Sequence, residues 1–350
     1  MKKLFVSLFL SMCLFLSIFM FSDLKGEAAA ENGNIVVVID PGHGGEGEQN
    51  LGAQYNGFSE KELTMQVAVA MKTELEKYEN VTVYLTRTTD TFISLENRAA
   101  YAKSVNADFL YSIHFNASVD HEFYGSEIWT SAFNSYYQKG YDFGQIELAE
   151  LSGLSIYPKG VKTKIGKTGK DYYGIIRAGV ARDIPTVIIE HAYLDHGYDV
   201  QLLSQAGIME SLGIADATAV AKYFNLKSSV LGNDFTDYSY SKVASPSATV
   251  YQDATEPDSC RIKLITFDKN SRNALVEMFT KDSQSPVIYF SYSYNGGQTF
   301  SVLQMWDRTK NAQSFNVYIP EGISTADIVC RAYNNYELYT MSNEVTFEIR

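Results

Sequence analysis

Cysteine is almost missing from this chain. Only Cys13, Cys260 and Cys330 occur in 350 residues, so no disulfide framework organises the fold and its stability must come from packed cores. Positive charge is also in deficit, with 29 Lys and Arg against 41 Asp and Glu and a formal net charge of −12. Without a basic surplus to neutralise phosphates, nucleic acid and anionic membranes are poor partners, and no nucleic-acid ligand is expected. No segment repeats internally. What the chain does have is apolar material: 45% of its residues are hydrophobic, enough for real cores, and about 320 residues beyond the leader predict two domains.

The leader is legible from its layout. Lys2 and Lys3 precede an apolar run from Leu4 to Phe21, and Ala28-Ala29-Ala30 follows shortly after. A charged start, an apolar centre and a small-residue site predict a secretory signal peptide over residues 1–30, cleaved after Ala30. The run is also long enough for an uncleaved anchor. Either way the mature chain is expected outside the cell, at the cell wall, where a Cys260–Cys330 disulfide is permitted.

Residues 34–225 alternate between two periodicities. Continuous apolar runs at Ile35–Ile39, Phe109–Ile113 and Thr186–Ile189 suit strands buried on both faces. Between them lie amphipathic patterns. Leu63, Val67, Ala70, Met71 and Leu75 share one face of a helix from about Glu60 to Tyr78, and Ile208, Leu212, Ala215, Ala219 and Tyr223 share another. Strand–helix alternation predicts an α/β domain over residues 31–228, a mostly parallel sheet with helices on both faces. Residues 229–247, rich in Ser, Asp, Tyr and Gly, read as a linker. Beyond it, short alternating segments at Cys260–Phe267, Ala274–Thr280, Val287–Tyr294, Phe315–Ile319, Asp327–Tyr333 and Glu344–Ile349 predict a smaller all-β sandwich over 248–350.

The chemistry concentrates at strand ends. Asp40-Pro41-Gly42-His43-Gly44-Gly45 follows the first buried strand, His114 follows Phe109–Ile113, and Glu190 ends Thr186–Ile189. Ligands of open α/β sheets bind outside the carboxyl ends of strands, so these side chains are expected to converge. Two His and one carboxylate form a catalytic zinc shell with a fourth position left open. Spacing leaves Glu60 and Glu190 competing for the carboxylate place.

The blocks DPGHGG (40–45), SEKELT (59–64), NRAAYAKSVNADFLYSIHFNAS (97–118), GSEIWTS (125–131) and YGIIRAGVARDIPTVIIE (173–190) together resemble the zinc-dependent N-acetylmuramoyl-L-alanine amidases of the Amidase_3 family. The resemblance covers roughly residues 34–225. It implies a Zn²⁺ cofactor held by His43, Glu60 and His114, with Glu62 the fallback if the SEKEL block is misaligned, and Glu190 as the catalytic carboxylate. It implies peptidoglycan as substrate, cut at the amide between N-acetylmuramic acid and L-alanine. In the family the last Glu is usually followed by a small residue and Gly-Phe; here it is followed by His191-Ala192-Tyr193-Leu194, which places His191 beside the site as a candidate substrate contact. Arg177 occupies a recurrent family position without a derivable role.

The resemblance supplies a mechanism. Zinc acidifies a coordinated water and polarises the carbonyl, while Glu190 takes the water proton and passes it to the leaving amine. Two other readings use the same residues: an inactive wall-binding protein, and another zinc amide hydrolase such as a peptidase or deacetylase. The β-sandwich resembles a fibronectin III or immunoglobulin-like module only weakly. It is the candidate for targeting, through a cell-wall or protein ligand.

Overall fold

Six strands form the first sheet: β1 (Ile35–Pro41), β2 (Val81–Leu85), β3 (Phe109–Asn116), β4 (Ser126–Thr130), β5 (Pro158–Lys162) and β6 (Thr186–Tyr193). Their spatial order is β2-β1-β3-β6-β4-β5. The computed structural model describes residues 33–349, so the expected leader over 1–30 lies outside the described residues. β2, β1, β3 and β6 run parallel, while β4 runs antiparallel to β6. The reversal has a local cause. Residues 117–125 between β3 and β4 hold no helix, and a parallel return needs a crossover of a dozen or more residues.

Helices cover both faces. α1 (Glu60–Leu75), α3 (Asn134–Gly153) and α5 (Ile208–Tyr223) lie on one side, α2 (Leu95–Ser104) and α4 (Gly174–Val180) on the other. α1 buries Leu63, Val67, Met71 and Leu75 against the sheet. It stops earlier than its apolar pattern suggests, because Lys77 and Tyr78 donate to Glu74 and Leu75 in tighter turns, and Asn80 adopts a left-handed φ of 58° that ends the segment. Among the described residues no helix is long and apolar enough to cross a membrane.

Residues 229–247 do not hang free. Leu231, Phe235, Tyr238 and Tyr240 pack against the main core, Val243 N donates to Asp142 Oδ1 at 2.9 Å, and Val250 N donates to Ala132 O at 2.9 Å. This strap leads to the sandwich. Its first sheet is β7 (Ser259–Asp268), β8 (Asn273–Lys281) and β11 (Ala312–Tyr318); its second is β10 (Gln304–Met305), β9 (Val287–Ser293), β12 (Thr325–Asn334) and β13 (Tyr339–Met341), with β14 (Val345–Glu348) also paired to β12. Cys260 and Cys330 are free thiols buried in the sandwich core, and burial pushes the Cys260 thiol up to about 12.

The sandwich docks on the β4–β5 side of the first sheet. Phe123, Tyr124 and Tyr193 of the α/β half form one buried cluster with Ile288, Tyr289, Leu303 and Tyr333 of the sandwich. Tyr157 Oη donates to Ile288 O at 2.7 Å, and Tyr289 Oη donates to Tyr124 O. Lys159, fully buried, reaches across to Glu337. The two halves thus share an aromatic core closed by paired polar groups.

Candidate metal centre

The DPGHGG loop leaves β1 and turns sharply under constraint. His43 sits at a left-handed φ of 60°. Gly42 passes so close to the next strand that a Cβ there would lie 2.4 Å from His114 Cε1, which only glycine avoids. Two buried arginines hold the loop by its carbonyls. Arg98 donates to Asp40 Oδ1 at 2.7 Å, Pro41 O at 2.8 Å and His43 O at 2.6 Å. Arg87 donates to Pro41 O and Gly42 O, each at 2.9 Å. Asp40 also accepts from Ser112 Oγ at 2.8 Å, tying the loop to β3.

Three potential ligand atoms converge above β1 and β3. Glu60, the first residue of α1, brings Oε1 within 3.0 Å of His43 Nε2 and 2.9 Å of His114 Nδ1. The atoms of His43, Glu60 and His114 all lie within 4.8 Å of one another. Ligands of a tetrahedral zinc stand about 3.3 Å apart, given bonds of about 2.0–2.1 Å, so this donor set fits a small divalent cation. Glu60 is oriented by two backbone donors, Ala53 N at 2.7 Å to Oε2 and Phe115 N at 3.1 Å to Oε1. Burial opposes its ionisation, yet the hydrogen bonds from His114 and His43 hold its carboxyl well below the usual range. Glu62 is exposed and stands outside this cluster.

Glu190 lies beside His114 in register on β6, and Glu127 on β4 is the next residue in the same row. One oxygen of Glu190, Oε2, is buried with no hydrogen-bond partner. Burial, reinforced by the like charges of Glu60 and Glu127, pushes its carboxyl well above the ordinary value. A cation at the neighbouring cluster would draw it back down. Such a group, close to a cation site and lacking a donor, is poised to accept a proton.

Glu127 is a residue that motif reading passed over, although its block GSEIWTS was singled out. It accepts from Lys162 Nζ at 2.5 Å, Asn116 Nδ2 at 2.9 Å and Trp129 Nε1 at 3.1 Å, and pairs with Lys159 at 3.1 Å. Burial would raise its pKa, but Lys159 and Lys162 hold it at about 2. Arg87 and Arg98 were likewise missed as loop clamps; a charged residue on an otherwise apolar helix face, as Arg98 is on α2, is the signal that could have found one of them. His191 does not face the cavity. It is fully buried behind the sheet, with Nε2 3.0 Å from Asp216 Oδ1 and Nδ1 donating to His114 O at 3.2 Å. There it steadies the backbone of His114, and Glu147 completes the cluster. Arg177 donates to the carbonyls of Asp171 and Tyr172 at 2.7 and 3.0 Å and lines the cavity of about 620 Å³ that holds His43 and His114.

A mostly parallel sheet that brings His43 and His114 from its strand ends together with Glu60 from the first turn of α1 defines a metallohydrolase-type site. Residues 37–222 match the Amidase_3 family, described as N-acetylmuramoyl-L-alanine amidase, and the chain belongs to that family. The sporulation-specific N-acetylmuramoyl-L-alanine amidase of Bacillus subtilis (strain 168) is 31% identical over 196 residues, covering 55% of this chain and 69% of the relative. CwlM, an N-acetylmuramoyl-L-alanine amidase of Bacillus licheniformis, is 29% identical over 193 residues, covering 55% of this chain and 70% of the relative. Cwp6 from Clostridium difficile superposes with a TM-score of 0.50 at 27% identity, over 55% of this chain and 30% of its own. The family match ends before the strap and the sandwich.

Proposed function

We propose that this N-acetylmuramoyl-L-alanine amidase is a zinc enzyme in which His43, Glu60 and His114 hold the metal and Glu190 moves the proton. The observation that carries this is the convergence of three ligand atoms within 4.8 Å beside a buried carboxylate oxygen with no donor. Bound there, zinc supplies a Lewis acid that acidifies water and polarises the scissile carbonyl. Glu190 takes a proton from the attacking water and returns it to the alanine nitrogen as the C–N bond breaks. Arg87 and Arg98 keep the His43 loop in place during turnover, because their bonds fix its carbonyls.

The substrate is the amide joining N-acetylmuramic acid to L-alanine in peptidoglycan, and the site of action is the cell wall outside the cytoplasm. The test is product analysis of digested peptidoglycan. New L-alanine amino termini without new reducing ends or acetate are expected. New peptide termini elsewhere in the stem, or released acetate, would overturn the assignment in favour of a peptidase or deacetylase.

A further inference from the structure

A second cavity, of about 710 Å³, opens between the α/β half and the sandwich. Asn116, Trp129, Lys164 and Tyr173 line it from one side, Arg331 and Tyr339 from the other. Tyr173 also lines the cavity holding His43 and His114, so the two spaces share a wall beside the metal centre. Its volume falls in the range of sites that bury most of the surface of a small organic ligand.

Most charges around this cavity are already matched. Glu127 is held by Lys159 and Lys162, and Glu337 by Lys159 and the hydroxyl of Tyr193. Asp253 accepts from Ser285, Thr255 and Asn334, while Asp120 and Glu122 are exposed at the rim. Two cations remain without a carboxylate partner among the described residues. Lys164 Nζ lies 4.2 Å from the centre of the Tyr172 ring. The Arg331 guanidinium lies 3.7 Å from the Phe300 ring centre and 4.6 Å from that of Tyr339, and its buried Nε has no acceptor. Aromatic faces aim a guanidinium without satisfying its N–H groups, so the site is arranged for an anion.

The two sides of the scissile bond differ in this respect. The lactyl carboxyl of the sugar is consumed in the amide itself, whereas the stem peptide carries free carboxylates along its length. We infer that the interdomain cavity binds the stem peptide, with Lys164 and Arg331 pairing its carboxylates and the sandwich forming one wall of the substrate site. This rests on the amidase reading and gives the sandwich a direct part in recognition.

The test is calorimetric binding of the free stem tripeptide L-alanyl-γ-D-glutamyl-L-lysine to the full chain, beside the same peptide with its carboxylates converted to amides. The acid should bind at least tenfold more tightly than the amide. Arg331→Gln and Lys164→Gln should each weaken the acid about tenfold and the amide less than twofold, and Arg331→Lys should recover part of the loss. Equal binding of acid and amide to the wild-type chain would overturn the inference. So would an equal loss of both ligands in the variants, which marks a purely structural role. If Arg331→Gln does not fold, Lys164→Gln and the wild-type comparison decide. Because no turnover is involved, a chain that cleaves peptidoglycan but binds both peptides alike refutes only this cavity assignment. Selective acid binding without any cleavage refutes only the amidase mechanism.

Discussion

Replacing Tyr289 with alanine should separate the unfolding of the two halves of the molecule. Tyr289 is fully buried, and its ring centre lies 4.9 Å from Tyr124 and 5.1 Å from Tyr157 across the interface. Truncating a buried aromatic to alanine costs about 3–5 kcal/mol in lost transfer energy and residual cavity. The carbonyl of Tyr124 also loses its donor, and Tyr289→Phe isolates that part at about 1 kcal/mol. A loss of this size is comparable to what holds many domain pairs together, so cooperativity should fail before either half does. The chain has two tryptophans, one in each half: Trp129 on β4 and Trp306 in the sandwich core. With Trp129→Phe reporting the sandwich and Trp306→Phe the α/β half, urea denaturation should give coincident fluorescence midpoints in the otherwise wild-type chain and separated ones with Tyr289→Ala. Well-separated midpoints already in the wild-type background, together with a Tyr289→Ala effect below ~1 kcal/mol, would refute the coupling. Residues 31–228 alone should aggregate or fold weakly, since Phe123, Tyr124 and Tyr193 would lose their cover.

The metal assignment has equally direct consequences. Chelation should abolish hydrolysis and added zinc restore it, with verified metal-free protein inactive in a muropeptide release assay. Glu60→Gln should lower zinc content measured by elemental analysis, because a neutral amide replaces the anion lying between two imidazoles. Glu190→Gln should retain zinc while turnover falls at least ~10²-fold, the lower end for losing a general acid–base; the opposite pattern would reverse the two roles. Glu127 should contribute acid-sensitive stability. Its folded pKa of about 2 lies below the free value of 4.5, so its contribution is complete above pH 4.5 and is lost as pH falls through about 2. Urea titrations at pH 5 and pH 2.5 should therefore show a larger acid loss in the wild type than in Glu127→Gln, which is itself expected to be less stable by about 3–5 kcal/mol at pH 7 because it strands Lys162.

Local chemistry made the α/β half readable in advance. Val37, Val38 and Ile39 are apolar in unbroken sequence because β1 is covered on both faces, and a strand of that kind can only be central. His43, His114 and Glu190 announced themselves by standing at the ends of such strands. Glu60 did not, because it enters from the first turn of α1, and its choice over Glu62 depends on the angle at which that helix meets the sheet. Separate pieces of chain bring Ala53 N and Phe115 N to its carboxylate, and no window of sequence contains both.

Tertiary structure alone decided the rest. His191 follows Glu190 directly, yet alternation along β6 sends it to the opposite face, where Asp216 of α5 receives it. Lys159, Lys162 and Glu127 are brought together and buried only when β4 and β5 pair and the sandwich closes over them. Residues 229–247 had the composition of a linker, but composition records what a segment can do in water and says nothing of the apolar groove that takes Phe235 and Tyr238. Arg331 and Tyr173 are about 160 residues apart in the chain and line one cavity, since periodicity encodes which face of an element is buried and leaves its partner to the geometry of docking.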